Sequence, residues 1–342
     1  MIKIRSKLRK GDDKRLLRLE KDSPMRGVVT IYYDHSPSYF NYFKLFGKLK
    51  PYFLEIDGEL AAFTNGSVFK LIHEGKPLEV IIFTNLRTNP KFKGQGLGSR
   101  VATFAFNDSK KDYPVVGGFI MKSNAAAVRL SKKYPFTKFK YKGLILHQLL
   151  PFKNYKLSGD YEIRQAKKKE IKKLLSYYYK HNYLMYPQKV FRKLPGYDEN
   201  NIKVAVKDGE VVACLGLWDQ GSVKKVIVID YSLKISLLKF FLRFFKGLPR
   251  IPKKGNSIRL VHFKHAGFKP GHEQAMSDLI ANALNYCKKN GYLMAVTAAF
   301  PDDPLNELYN EFLGLRTKVL MGLYSDKKIK LDKPLFIDTS ML

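Results

Sequence analysis

Apolar residues in this chain recur in two rhythms, every second residue in short runs and every third or fourth in longer ones, and the two alternate. Residues 1–24 read as a strand, "IKIRSKLR", then a short helix carrying Leu16, Leu17 and Leu19 among charges. An aromatic, basic segment, "SYFNYFKLFGKLKPYF", spans Ser38 to Phe53. In "YFLEIDGELAAF" the pair Asp57-Gly58 separates two apolar runs, which is a strong hairpin signal. Leu78 to Leu86, "LEVIIFTNL", has strand length; a glycine-rich loop follows it, and then "GSRVATFAFNDSKK" with helical spacing through Val101, Phe104 and Ala105. "YPVVGGFIMKSN" predicts a strand, "NAAAVRLSKKY" a helix and "KGLILHQLL" a closing strand. The alternation of strands and helices places the chain in the α/β (α+β) class.

After a linker around Leu150 to Gly159 the order starts again. "YEIRQAKKKEIKKLLSYYYKHN" predicts a strand and an amphipathic helix with Ile171, Leu174, Leu175 and Tyr178 on one face and Lys167 to Lys169 on its solvated side. Asp208-Gly209 repeats the hairpin signal; a strand, a Gly-containing loop and a helix follow in "SIRLVHFKHAGFKPGHEQAMSDLIANALNYCKKNGY". "LMAVTAAF", "PLNELYNEFLG" and "RTKVLMGLY" then read as strand, helix and strand. The chain is a degenerate duplication with a period of roughly 170 residues, and we expect domains at 1–152 and 160–342. An insertion, Leu233 to Lys254, breaks the parallel. On a helix it would set Lys239, Arg243 and Lys246 opposite Leu237, Leu238, Phe241, Leu242 and Phe245. Packing against its own domain or a partner is the first expectation for such a stripe, and peripheral membrane contact is the second.

Charge changes the picture. The 342 residues carry 62 Lys and Arg against 30 Asp and Glu, a formal net charge of +32. Two explanations stay open: a Lys-rich composition with solvated faces, or attraction to a polyanion such as nucleic acid, anionic lipid, an acidic carrier protein or a phosphorylated cofactor. No RNA-binding signature accompanies the charge. Cys214 and Cys287 stand in apolar contexts and read as reduced core residues. No stretch reaches the ~18 uncharged apolar residues of a spanning helix, so the expectation is a cytoplasmic protein.

The loop "NPKFKGQGLGSRV", Asn89 to Val101, holds Gly94, Gly96 and Gly98 beside Lys93 and Arg100. A strand-to-helix loop offers unpaired main-chain N–H groups and the positive end of a helix dipole, which suit phosphate oxygens. No Gly-Lys-Ser/Thr triplet follows, so it is not a P-loop; the spacing is not G-x-G-x-x-G, and Asp108 lies too close for ribose recognition. Lys93-Gly94-Gln95-Gly96-Leu97-Gly98 resembles the pyrophosphate loop of the GNAT superfamily of acyl-CoA-dependent N-acyltransferases, Arg/Gln-x-x-Gly-x-Gly/Ala, with Lys at the first position. "NAAAVRLSKKYPF" resembles the family's second signature, with Asn124, Ala127 and Phe136 in place. In the second half "GFKPGHEQA" keeps Gly271 but sets Pro270, His272 and Glu273 where glycines and a cation belong, and Glu273 would repel a pyrophosphate.

The resemblance implies two tandem GNAT-like domains, each a mixed, mostly antiparallel sheet flanked by helices, the second degenerate. It implies acetyl-CoA, or another acyl-CoA, as donor, held by Lys93, Gly94, Gln95, Gly96, Leu97, Gly98, Ser99 and Asn124, with main chain at Leu86, Arg87 and Thr88 facing the thioester. The acceptor would be a small-molecule or peptide amine bound between the halves. The family's acid, a Tyr in the second signature, is replaced by Ser131; Tyr134 lies almost one turn further on, and Tyr309 holds the matching place in the second half. Glu79 and Glu55 are candidate bases, although Glu79 is one position from the register of the family's Glu. A metal reading of His262, His265 and His272 is weak, because the first two point to opposite faces of a strand. The aromatic, Lys-bearing stretches Ser38 to Phe53 and Leu174 to Pro187 fall at comparable points in the halves and would suit an acceptor with an apolar body and an acidic group. The rival expectation is a non-catalytic module binding RNA, aminoacyl-tRNA or an anionic membrane.

Overall fold

The structure is a computed structural model that describes residues 1–73, 76–133, 142–180, 183–187, 194–242, 244, 250–325 and 335–337. The first half contributes β1 (Ile2–Arg5), α1 (Asp12–Asp22), β2 (Val29–Asp34), α2 (Tyr39–Lys44), β3 (Leu49–Ile56), β4 (Glu59–His73), β5 (Lys76–Thr88), α3 (Leu97–Asp112), β6 (Val115–Met121), α4 (Ala125–Lys133) and β7 (Lys142–Leu149). The second contributes β8 (Glu162–Gln165), α5 (Lys168–Lys180), β9 (Tyr183–Pro187), β10 (Ile202–Lys207), β11 (Glu210–Trp218), β12 (Lys225–Tyr231), α6 (Leu233–Leu242), β13 (Ser257–Ile258), β14 (Leu260–Phe268), α7 (Glu273–Lys289), β15 (Met294–Ala299), α8 (Pro304–Asn310), β16 (Gly314–Ser325) and β17 (Leu335–Ile337).

The duplication is visible in the backbone. Asp57 and Gly58 (φ 48° and 80°) and Asp208 and Gly209 (φ 49° and 77°) turn their hairpins through paired left-handed residues, which match the twist of the flanking strands. Asn85 in β5 and His265 in β14 (φ 54° and 53°) occupy matching bulges, where the register shifts against β4 and β11 respectively. Both Asp-Gly signals and both strand, loop, helix runs therefore lie where the residue pattern puts them.

Two separate sheets do not form. A single mixed sheet runs β1-β3-β4-β5-β6-β16-β7-β15-β14-β11-β10-β8, with β9 and β17 attached at β4. Its centre is an exchange: β16, from the second half, lies between β6 and β7 of the first, and β7 lies between β16 and β15. A small second sheet, β13-β12-β2, also joins the halves, with Lys225 opposite Asp34 and Tyr231 opposite Val29. The residue pattern did not predict these three strands.

The sheet buries apolar residues on both faces. Leu97, Val101 and Ala105 of α3 cover Tyr52, Leu54 and Ala61, and α7 covers the second half through Met276, Leu279, Ile280 and Leu284. On the opposite face one core is common to both halves, bringing Leu16, Tyr39, Phe53 and Phe63 together with Ile171, Val204, Trp218 and Phe300. Ile171 and Leu174 are buried as the α5 pattern predicts, whereas the side chains of Leu175 and Tyr178 lie outside the described residues. The linker is strapped to α7: Tyr155 exchanges two hydrogen bonds with Asn285 (2.8 and 2.9 Å), and Ser158 Oγ donates to Asp278 Oδ2 at 2.6 Å. Cys214 and Cys287 are free and buried, and burial pushes both thiols up to about 12.

Candidate active site

The glycine loop begins where β5 ends. Asn89 anchors it: its N–H and Nδ2 donate to Ala61 O (2.9 Å) and Leu60 O (3.0 Å), while its Oδ1 accepts from the N–H of Lys91 (3.0 Å). After one 3-10 turn at Pro90–Phe92 the Lys93 N–H donates to Pro90 O at 3.1 Å. From there the main chain gives nothing back to the protein. Among the described residues no protein acceptor takes the N–H groups of Gly94, Gln95, Gly96, Leu97 or Gly98, and the first bond to close α3 runs from Arg100 N–H to Gly96 O at 3.0 Å. Five consecutive donors at a helix N-terminus thus have no protein acceptor among the described residues, flanked by the exposed Lys93 and Arg100.

The three glycines do two jobs. Gly94 and Gly96 have φ of 87° and 71°, and a Cβ on either would meet nothing within 4 Å, so conformation rather than crowding selects glycine there. Gly98 differs: a Cβ would lie 2.8 Å from Thr88 Oγ1, so its absence lets α3 start close against β5. The second-half loop fills itself. Glu273 Oε1 accepts from the Gly271 N–H at 3.2 Å, placing a carboxylate of the chain where an anion would bind.

Beside the first loop the sheet opens. Parallel pairing between β5 and β6 runs from Val80 and Val115 to Phe83 and Gly118 and stops, although β5 continues to Thr88 and β6 to Met121. The gap starts at the Asn85 bulge. Leu86, Arg87 and Thr88 line one lip, and Asn124 follows the other, capping α4 by accepting from Ala127 N–H at 3.1 Å.

A buried polar cluster lies on the α1/α2 side of the bulge. Asn85 Nδ2 donates to Tyr39 Oη at 3.2 Å, and Arg87 reaches Ser23 O, at the end of α1, at 3.4 Å. His35 Nδ1 lies 2.7 Å from Glu20 Oε2, both side chains fully enclosed, in a box formed by the rings of Tyr33, Tyr39, Tyr42 and Phe43. His35 Nε2, Glu20 Oε1, Arg87 Nε, Asn65 Oδ1 and Thr84 Oγ1 are all buried with no hydrogen-bond partner among the described residues. So many orphan polar atoms in one place mark a site built for a bound polar group or water. The second half adds Lys224, whose Nζ donates to Tyr42 Oη at 2.8 Å and lies 5.1 and 4.5 Å from the centroids of the Tyr33 and Tyr42 rings. Burial pushes its ammonium down to about 7, against the opposing pull of Glu20.

The structure gathers Leu86, Arg87, Thr88 and the Lys93–Ser99 loop around the mouth of the gap. It does not gather Glu79, Glu55 or Tyr309 there. Glu79 is exposed near the start of β5, six residues before the bulge, or about 20 Å along a strand. Tyr309 is buried in the second-half core, its hydroxyl bonded to Thr297 and its ring 5.3 Å from that of His147; burial pushes the hydroxyl upward. Tyr134 and Phe136 lie outside the described residues. Ser131 is buried and donates to Val128 O at 2.8 Å. Glu55 is an ion-pair hub for Arg5 and Arg15, at 2.9 and 2.6 Å. His265 Nδ1 sits 2.6 Å from Tyr197 Oη. Glu20, His35 and Lys224 were not read from the sequence, since only folding brings them together.

No family model matches the sequence, and no curated protein does. Solved structures do match. The glucosamine N-acetyltransferase region of a fungal multidomain β-N-acetylglucosaminidase superimposes with a TM-score of 0.61 at 12% identity, over 95% of this chain and 38% of that one, so this chain spans well under half of it. N-myristoyltransferase from Saccharomyces cerevisiae, solved with bound myristoyl-CoA, matches with a TM-score of 0.60 at 11% identity, over 94% of this chain and 82% of that one. A GNAT N-acetyltransferase from Sphaerobacter thermophilus matches with a TM-score of 0.56 at 12% identity, over 95% of each chain. At these identities the likeness concerns the fold.

Proposed function

We propose, from a chain that carries the tandem GNAT fold, that this protein is an acyltransferase moving an acyl group from acyl-CoA to an amine held between its halves. The observation that carries this reading is the run of five unclaimed main-chain N–H groups, Gly94 to Gly98, at the N-terminus of α3 and beside the opened strands. The residues fit the donor. Its diphosphate would take the loop amides with Lys93 and Arg100 in support, and its pantetheine arm would follow the gap between β5 and β6. Bound there, acyl-CoA would supply the activated carbonyl, and main-chain N–H at Leu86 to Thr88 would stabilise charge on its oxygen.

For the proton acceptor we turn from Glu79 and Glu55 to His35. A carboxylate on Nδ1 holds the proton there and leaves a lone pair on Nε2, which has no partner among the described residues. Tyr39 connects this pair to the bulge, since its hydroxyl takes the Asn85 amide and its ring lies 5.5 Å from the imidazole. His35 would take the proton of the attacking amine, and Glu20 would stabilise the resulting imidazolium. Lys224 and Arg87 favour an acceptor that also carries an anionic group.

Calorimetry with acetyl-CoA and with longer acyl-CoAs tests the donor site: wild type binds, and Gly96→Glu loses binding by about a hundredfold or more, because it adds a side chain at positive φ and a charge that repels the diphosphate. Binding by neither protein, or equally by both, rejects the reading. With an acceptor in hand, His35→Gln lowers kcat by about 10²–10⁴ while the acyl-CoA Kd stays unchanged. A lost Kd would instead assign His35 to the architecture of the site.

A further inference from the structure

α6 rests on the small sheet by the wrong side for a globular protein. Among the described side chains of α6 the half-buried ones are Ile235 and Lys239, one turn apart. The Lys239 stem lies under the helix, with Nζ donating to Pro252 O at 2.7 Å and sitting 5.0 Å from the centre of the Tyr231 ring. Leu233, Leu237, Leu238 and Phe241 point outward, with 77%, 53%, 45% and 58% of their surface exposed. Phe240 and Phe244 extend the patch, and Val28, whose carbonyl accepts from the Ser232 N–H, borders its start. Leu237, Leu238 and Phe241 therefore do not pack on their own domain, whereas Arg243, Phe245, Lys246 and the Leu242 side chain lie outside the described residues.

The charge around the patch indicates what covers it. Residues 233–254 contain seven Lys or Arg and no Asp or Glu. Lys234, Arg250, Lys253 and Lys254 of this segment are exposed, and Lys254 also pairs with Asp230. The chain as a whole carries +32. A partner protein would have to match an apolar ridge with an acidic rim of fixed shape; an anionic bilayer supplies acyl chains below and phosphates above without shape matching.

We propose that α6 and its basic flank are a docking surface for an anionic lipid bilayer. The leucine and phenylalanine side chains enter the headgroup boundary, and the lysines and arginines meet the lipid phosphates. The β2/β12 ladder then sets the geometry. Its Tyr231–Val29 end adjoins α6, and its Lys225–Asp34 end leads directly into Lys224 and His35, about 20 Å away along six residues of strand. Docking would place the polar cluster a fixed distance above the membrane. The docking proposal does not depend on the acyltransferase reading.

The test is co-sedimentation of the full chain with phosphatidylcholine vesicles and with phosphatidylcholine vesicles containing phosphatidylglycerol, with no CoA present. Expected are binding to the mixed vesicles at least about tenfold tighter than to phosphatidylcholine alone, weakening with salt, and at least a tenfold loss in the double variant Leu237→Asp, Phe241→Asp. Both positions are exposed, and an unchanged thermal melt verifies that the variant folds. Single replacement of Lys234 by Glu serves as the second variant and weakens only the anionic component. Failure to bind mixed vesicles, binding untouched by the double variant, or a lipid-independent dimer that the double variant abolishes overturns the proposal.

Discussion

An ammonium buried among tyrosine rings is an unfavourable arrangement for stability, and Lys224 is one. Its value falls from 10.5 to about 7 because burial disfavours the charged form. Between those values the unfolded chain holds a proton that the folded chain has released, so this residue makes stability rise with pH across that window. Lys224→Met is therefore expected to stabilise the protein near pH 7 by about 1–3 kcal/mol, with the gain shrinking towards about pH 10. Urea midpoints at the two pH values check this, and a gain that ignores pH would contradict the burial argument. Stability given up at one residue fits a functional position better than a core one. The sequence could not have indicated this residue: Lys224 is one of many lysines, and its partner Tyr42 is 182 positions away. The glycine loop was legible because its pattern is local, set by three glycines and a helix start within one short run. The Glu20–His35 pair spans 15 positions and two elements, and no short motif marks it.

At the scale of elements, charges also fasten the first strand and helix to the sheet. Arg5 in β1 bonds Asp12 of α1 at 2.7 Å and Glu55 of β3 at 2.9 Å, and Arg15 of α1 joins Glu55 at 2.6 Å. Burial raises the Glu55 carboxyl, but the two guanidinium groups outweigh it and hold the group below its ordinary range. Its contribution is then present above the ordinary value of 4.5 and is lost as pH falls through the lowered one. Glu55→Gln should lose about 3 kcal/mol at neutral pH by leaving Asp12 to compensate Arg5 and Arg15 alone, and its acid unfolding below about pH 4.5 should be shallower than that of wild type. Parallel acid titrations followed by circular dichroism read both effects. Hairpins, the crossover helices and the loop strands were readable because each depends on neighbours in sequence. β2, β12 and β13 were not, because two of these short strands pair across the halves and no alternation in either half announces a partner in the other.

The whole molecule adds what no element contains. One chain folds as a duplication, yet its halves complete each other: β16 fills the space between β6 and β7, and β7 continues into the second half's strands. Residues 1–152 expressed alone should therefore not reach a native monomer. Expected is a loosely packed or self-associated species, seen as broad amide resonances and early elution on gel filtration, whereas a sharp, monomeric spectrum would show that the exchange is dispensable. The exchange also orders events during synthesis. A ribosome releases β6 and β7 long before residues 314–325 exist, so the nascent amino-terminal half must wait with β6 bare at one edge and β7 at both. Chaperone capture, or rapid closure once the late strand emerges, then decides the yield, and a frameshift beyond residue 313 would undo structure laid down two hundred codons earlier.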